Sequence, residues 1–189
     1  FGTVGAESLV WNEVQSDLMF TGGTGNREAM LLYLARAGEL YRVDMSAKKL
    51  KPELLSSFDG SIVLQEMEMD KVGNRILATD SNGSLYSIDL SSEAPTPECL
   101  VAGLGTVTDV DVSPDGTSLL LLDTAAKRVM QLECPQDSGT CSNPELFASI
   151  PEFKQPLSVA RAADGTIWVG DLGAQSIFAF NDEGRIIRE

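Results

Sequence analysis

VTDVDVSPDGTSLLLLD, residues 107–123, decides how this chain folds. Two apolar stretches flank a glycine-bearing turn, and the second closes on Asp123. In the first stretch Asp109 and Asp111 alternate with Val110 and Val112, the period-two signature of a strand with unlike faces. Pro114-Asp115-Gly116 then supplies turn chemistry, glycine giving a positive φ if the turn needs one. Working outward, LSVARAADGTIWVGD at 157–171 is a second clear copy, LQEMEMDKVGNRILATD at 64–80 a looser one, and SLVWNEVQSDLMF at 8–20 the weakest. Each copy is followed by a further short strand pattern, at 40–44, 84–90, 128–133 and 176–180. Repeats of roughly 40–50 residues made of short strands and turns are the signature of β-propeller blades. The chain is therefore read as all-β, one β-propeller domain over 1–189 with four recognisable blades at about 5–58, 59–104, 105–155 and 156–189. Gly/Pro/Ser signals at 56–61, 102–106 and 150–156 mark the joins.

The first blade is the irregular one. Residues 27–40, REAMLLYLARAGEL, are rich in Ala, Leu, Met and Glu, and by propensity allow a helix of about three turns; the alternative is a long strand plus a turn. Ahead of them TGGTGN at 21–26 reads as a plain glycine loop, since it lacks both the GK[ST] ending of a P-loop and the GxGxxG spacing. The run from Asp109 to Gly116 likewise fails as an EF-hand loop, because Pro114 and Leu120 occupy the places that need Gly and Glu. Strand alternation accounts for its acids. Asp80, Asp123 and Asp171 end strands and are expected to cap turns through local backbone N–H groups. Trp11 and Trp168, inside apolar strands, are expected in the core.

Composition excludes more than it selects. Acidic residues outnumber basic ones 28 to 14, and the net charge of −14 opposes phosphate backbones and anionic lipid, so neither nucleic acid nor a membrane is expected as partner. No stretch reaches the ~18–20 apolar residues of a membrane-spanning helix. The chain has no His, which removes Ser/His/Asp and Cys/His catalysis and disfavours a zinc or copper site. Chemistry is left to carboxylates, Lys, Tyr or Ser, or to an oxygen-ligated ion such as Ca²⁺.

Cys134 and Cys141 bracket PQDSGT, a short turn-rich excursion that a disulfide would close; two free thiols in a reducing compartment are the alternative. Cys99 stands outside that pair. The first residue is Phe1, which reads as a processed, trimmed or incomplete start. Together with a bridge it favours a secreted, periplasmic or organelle-lumen setting.

ESLVWN at 7–12, LMF at 18–20 and GELYRVD at 38–44 resemble the opening blade of the SMP-30/gluconolactonase family and its strictosidine-synthase-like relatives, and VSPDGTSLLLLDT and ADGTIWVGDL continue the likeness. The later motifs also resemble NHL-type repeats. The resemblance implies six blades, so the four seen here are either a four-bladed closure or part of an incomplete six-bladed propeller. It also implies a Ca²⁺-type ion bound by Glu, Asn and Asp from the starts of inner strands, and lactone or ester hydrolysis. Aligned on their turns, the repeats place Glu7, Gln65, Thr108 and Leu157 at those starts. Glu7 matches the family's ligand; Thr108 replaces Asn and Leu157 replaces Asp, while Gln65 and Thr108 offer neutral oxygens. Two functions are expected from this. The first is a non-catalytic propeller without cofactor, an interaction or structural module whose acidic surface meets a protein partner, as in a larger complex. The alternative is a Ca²⁺-dependent lactonase or esterase, with a degenerate metal site of Glu7, Gln65 and Thr108 and with Asp109 or Asp111 as general base.

Overall fold

The structure, a computed structural model, describes residues 22–26, 30–135 and 139–188. Among them there is no helix; the strands form four four-stranded antiparallel sheets in which consecutive strands lie side by side. The first sheet holds β1 (Gly22–Asn26), β2 (Leu31–Arg36), β3 (Glu39–Asp44) and β4 (Glu53–Ser57). The second holds β5 (Leu64–Asp70), β6 (Arg75–Asp80), β7 (Leu85–Asp89) and β8 (Pro97–Val101). The third holds β9 (Val107–Val112), β10 (Ser118–Asp123), β11 (Arg128–Glu133) and β12 (Glu145–Ala148). The fourth holds β13 (Pro156–Arg161), β14 (Ile167–Asp171), β15 (Ser176–Phe180) and β16 (Ile186–Arg188). The chain divides into two compact units: one runs up to Ser81 and includes Leu85–Cys99, the other takes Asn82–Ser84 and everything from Leu100 on.

The repeat dictates which strand is buried. The second strand of a sheet is flanked on both sides, and where its middle residues are apolar, as at 76–78 and 119–122, both faces are covered; every residue of β6 and of β10 is buried. In the first unit the core gathers Tyr33, Leu40, Met67, Met69, Ile76 and Ile88. The alternation at 66–69 works as read, with Met67 and Met69 buried and Glu66 and Glu68 half-buried. In the second unit Leu120, Leu122, Val159, Val169 and Phe180 close around Phe178, and Phe153 meets Phe178 and Phe180 edge-on at 5.5 and 5.9 Å.

Of the two readings of 27–40, the strand plus turn holds over 31–40, and two other expectations are corrected. No helix forms over 31–40, because β2 is held in register by β1 on one side and β3 on the other, and tertiary pairing overrides propensity. The β2–β3 hairpin turns through Ala37 and Gly38, both at positive φ (40° and 82°), as two-residue hairpins require. The glycine-rich stretch is not a loop but β1, paired residue for residue with 31–35. A Cβ at Gly23 would stand 3.0 Å from Leu34 Cδ2 and 3.2 Å from the Tyr33 carbonyl, so glycine lets the two strands lie close. Trp168 is half-buried rather than in the core, since its neighbours Ile167 and Val169 take the covered face of β14. Trp11 lies outside the described residues.

Aspartates hold the turns, as expected of Asp123 and Asp171. Asp123 Oδ1 accepts the Ala126 N–H and its Oδ2 pairs with Arg128 at 3.1 Å. Asp171 accepts N–H groups from Ala174, Gln155 and Lys154. Asp70 repeats the device at another turn, accepting from Val72 and Gly73 and pairing with Arg75 at 2.8 Å. Asp80 receives the Tyr86 hydroxyl at 3.2 Å.

Cys134 and Cys141 are joined in a disulfide, their Cα atoms 4.2 Å apart. Cys134 is buried at the end of β11, and Cys99 is exposed. Closing so short a loop removes little chain entropy. Reduction, or Cys141→Ser, is therefore expected to cost about 2–3 kcal/mol, read as a shift of the urea midpoint, with the sheets retained.

Candidate functional site

Three of the four strand-start positions are structurally equivalent. Gln65, Thr108 and Leu157 are each the second residue of an inner strand, and the pairing slips at each of them. Leu64 faces Asp80 but Met67 faces Ala78; Val107 faces Asp123 but Asp109 faces Leu122; Pro156 faces Asp171 but Ser158 faces Gly170. A β-bulge of this kind sets an extra residue against the partner strand and re-aims its side chain, a device common beside functional sites. In the first sheet β1, which begins the sheet, pairs with β2 without such a slip. Glu7 and its repeat at 8–20 lie outside the described residues.

Within the second unit the bulges of β9 and β13 are tied together. The Thr124 hydroxyl donates to the Pro156 carbonyl, so the 2.5 Å contact between Thr108 Oγ1 and Thr124 Oγ1 has Thr108 as donor. Leu157, next along from Pro156, is 37% exposed. Below this tie the two edge strands face one another. Asp109 Oδ2 accepts the Val159 N–H at 2.7 Å and Asp111 Oδ2 accepts the Arg161 N–H at 3.2 Å. Two carboxylates spaced two residues apart thus cover two alternate N–H groups on an edge strand, groups that need a partner when removed from water. Asp109 Oδ1 also accepts the N–H of Val110.

The cost of this arrangement is charge in a poorly hydrated place. Burial pushes the Asp109 carboxyl up to about 6, against the pull of its two backbone donors. Burial likewise pushes Asp111 up to about 6, with the Arg161 guanidinium pulling down and Asp109 adding a smaller upward push. Arg161 Nε stands 3.9 Å from Asp111 Oδ2, an electrostatic contact too long for a hydrogen bond, and Arg161 Nε and Nη2 are buried with no hydrogen-bond partner among the described residues. Arg161 and Thr124 were not singled out from sequence. Arg161 could have been found as the one charged side chain in the inner strand PLSVAR, and Thr124 only from the fold.

A Ca²⁺ ion asks for six to eight oxygens, several of them carboxylate. The described residues do not fit that demand. No three of their His, Cys, Asp or Glu side chains gather around one point. Thr108 is spent on Thr124, Leu157 has no side-chain oxygen, and Asp109 and Asp111 serve the edge of β13. Gln65 is exposed and belongs to the other unit.

Four-stranded antiparallel sheets of this construction, three of them starting from a bulged inner strand, are the blades of a β-propeller, and solved structures carry the same fold. A gluconolactonase from Xanthomonas campestris matches at a TM-score of 0.72 with 14% identity, over 92% of this chain and 62% of its own. The hydrazine synthase of Kuenenia stuttgartiensis matches at 0.67 with 13% identity, over 93% of this chain and 50% of that one. The chain thus spans less than two thirds of either protein. A search of curated proteins finds no match. Residues 53–189 match the model of the SMP-30/Gluconolactonase/LRE-like region, and the chain belongs to that family.

Proposed function

We propose that this chain contributes to a lactone- or ester-hydrolysing propeller, with Asp109 or Asp111 as general base. The observation that carries the reading is the pair of carboxylates on β9 whose pKa values burial lifts to about 6. A base poised just below neutral pH is ionised yet still basic enough to take a proton. Each carboxylate oxygen has a second lone pair beyond the backbone bond it accepts. The carboxylate would take a proton from water as the water oxygen adds to the acyl carbon. The ring C–O bond then breaks, and the proton passes to the leaving alkoxide, giving a hydroxy acid. Family membership and the gluconolactonase likeness support the substrate class. Ca²⁺ enters this proposal only through Glu7, and no step is assigned to it.

The non-catalytic reading remains the second one, favoured by Leu157 in the place of a charged ligand and by the service of Asp109 and Asp111 to β13. An interaction or structural role toward a protein partner, in a secreted, periplasmic or lumenal setting, belongs to it. A pH-stat assay over γ- and δ-lactones and aryl esters, with and without added Ca²⁺, separates the two. Turnover is expected to rise through pH about 6, and Asp109→Asn or Asp111→Asn to lower kcat by roughly 10²–10⁴. Absence of turnover above the blank across the panel would remove the hydrolase.

A further inference from the structure

We propose that Asn82 is an acceptor for N-linked glycan. Of the chain's six asparagines only Asn82, followed by Gly83 and Ser84, satisfies the Asn-x-Ser/Thr rule with a residue other than proline between. The rule has a physical basis, since transfer needs the Asn amide and the hydroxyl two residues on to be presented together on an accessible segment. Here the segment is the turn between β6 and β7, and Asn82 is exposed. The turn is anchored through the residue next to Asn82. Gly83 is buried, its carbonyl accepts the Leu104 N–H at 2.8 Å, and a Cβ at Gly83 would stand 2.3 Å from the Gly105 carbonyl oxygen. A glycan on the exposed Asn82 leaves the buried Gly83 anchor in place. A second and independent observation concerns the compartment. The Cys134–Cys141 disulfide is a bond that forms and lasts where proteins are secreted, which is where N-glycan is added. Leu64 pairs with Asp80 next to this turn, so the sugar would stand at the end of the second sheet that carries Gln65.

The inference is independent of the hydrolase reading. Its test is to direct the chain to the secretory pathway of a yeast and measure intact mass before and after peptide N-glycosidase. The expected result is a series of hexose-bearing masses that collapses on digestion, leaving Asp in place of Asn82 in the mapped peptide. Asn82→Gln and Ser84→Ala should each abolish the series, and Ser84→Thr should keep it. Protein retained in the cell is purified from microsomes and read in the same way. Bridged protein that has passed through this pathway with Asn82 unmodified would overturn the proposal.

Discussion

Phe178→Ala is expected to lower stability by about 3–5 kcal/mol, the largest effect of any single change in the second unit. Phe178 is fully buried and lies in the cluster with Leu120, Leu122, Val159 and Val169, and its ring meets Phe153 edge-on at 5.5 Å. Truncation removes the transfer energy of an aromatic ring and leaves a cavity. The backbone around the cavity is fixed by the ladders of β14 and β15 and cannot close it. The aromatic pair with Phe153 adds roughly 0.5–1.5 kcal/mol beyond area. Urea titration followed by tryptophan fluorescence reads the change, since Trp168 sits on the paired strand. A loss under about 1.5 kcal/mol would mean that the cluster is not the second unit's core.

Stability is expected to be greatest near pH 4–5, and to fall toward neutral pH. Asp109 and Asp111 have native pKa values raised to about 6, so the native state holds their protons more tightly than the unfolded chain. Their stabilising effect is complete below the unfolded pKa of about 4 and is lost as pH rises through about 6, at most about 3 kcal/mol for each. The exposed turn aspartates act the other way. Hydrogen bonds from Ser46, Ser61 and Ser91 hold Asp44, Asp59 and Asp89 below the usual range. Ser113 and Thr117 hold Asp115 at about 2. What these contribute is present above pH about 4 and fades only as pH falls through their lowered values. The two windows overlap between about pH 4 and 5. Relief of self-repulsion in a chain of net charge −14 acts in the same direction on acidification from neutral pH. Urea midpoints at pH 4.5 and 7.5 decide the matter, and a higher midpoint at 7.5 would refute it.

The fold was legible where a local rule and the tertiary structure agree. Residues 64–70 and 107–112 alternate and lie in strands; 119–122 is apolar throughout, and 118–123 is buried throughout. The bulge positions Gln65, Thr108 and Leu157 could be aligned because Gly-bearing turns fix the length of each hairpin. The first sheet was misread because its inner strand GGTGN has the composition of a loop. Its strand character comes wholly from pairing with 31–35, which no residue of it announces. The seam was half legible. Asp109 and Asp111 stood out as alternating acids, but their partners are main-chain groups fifty residues away, and backbone N–H groups carry no sequence signature. Trp168 was misplaced because alternation shows that two faces differ without showing which of them is covered.

The turn caps have a consequence for how this protein's charge can change over time. Asp44, Asp59, Asp89, Asp115 and Asp164 are exposed, and each turn uses one carboxylate oxygen as an acceptor for a backbone N–H. At the matching turn after β15 an amide does the same work, with Asn181 Oδ1 accepting from Glu183 and Arg185. The turn therefore asks for an oxygen at the right place, which an amide also supplies, while an ionised carboxylate accepts more strongly. A lineage could exchange Asp for Asn at these five corners and move its net charge from −14 to −9 with every sheet intact. The reverse drift is equally open, and acidity in such a chain is free to follow its surroundings while its architecture stays fixed.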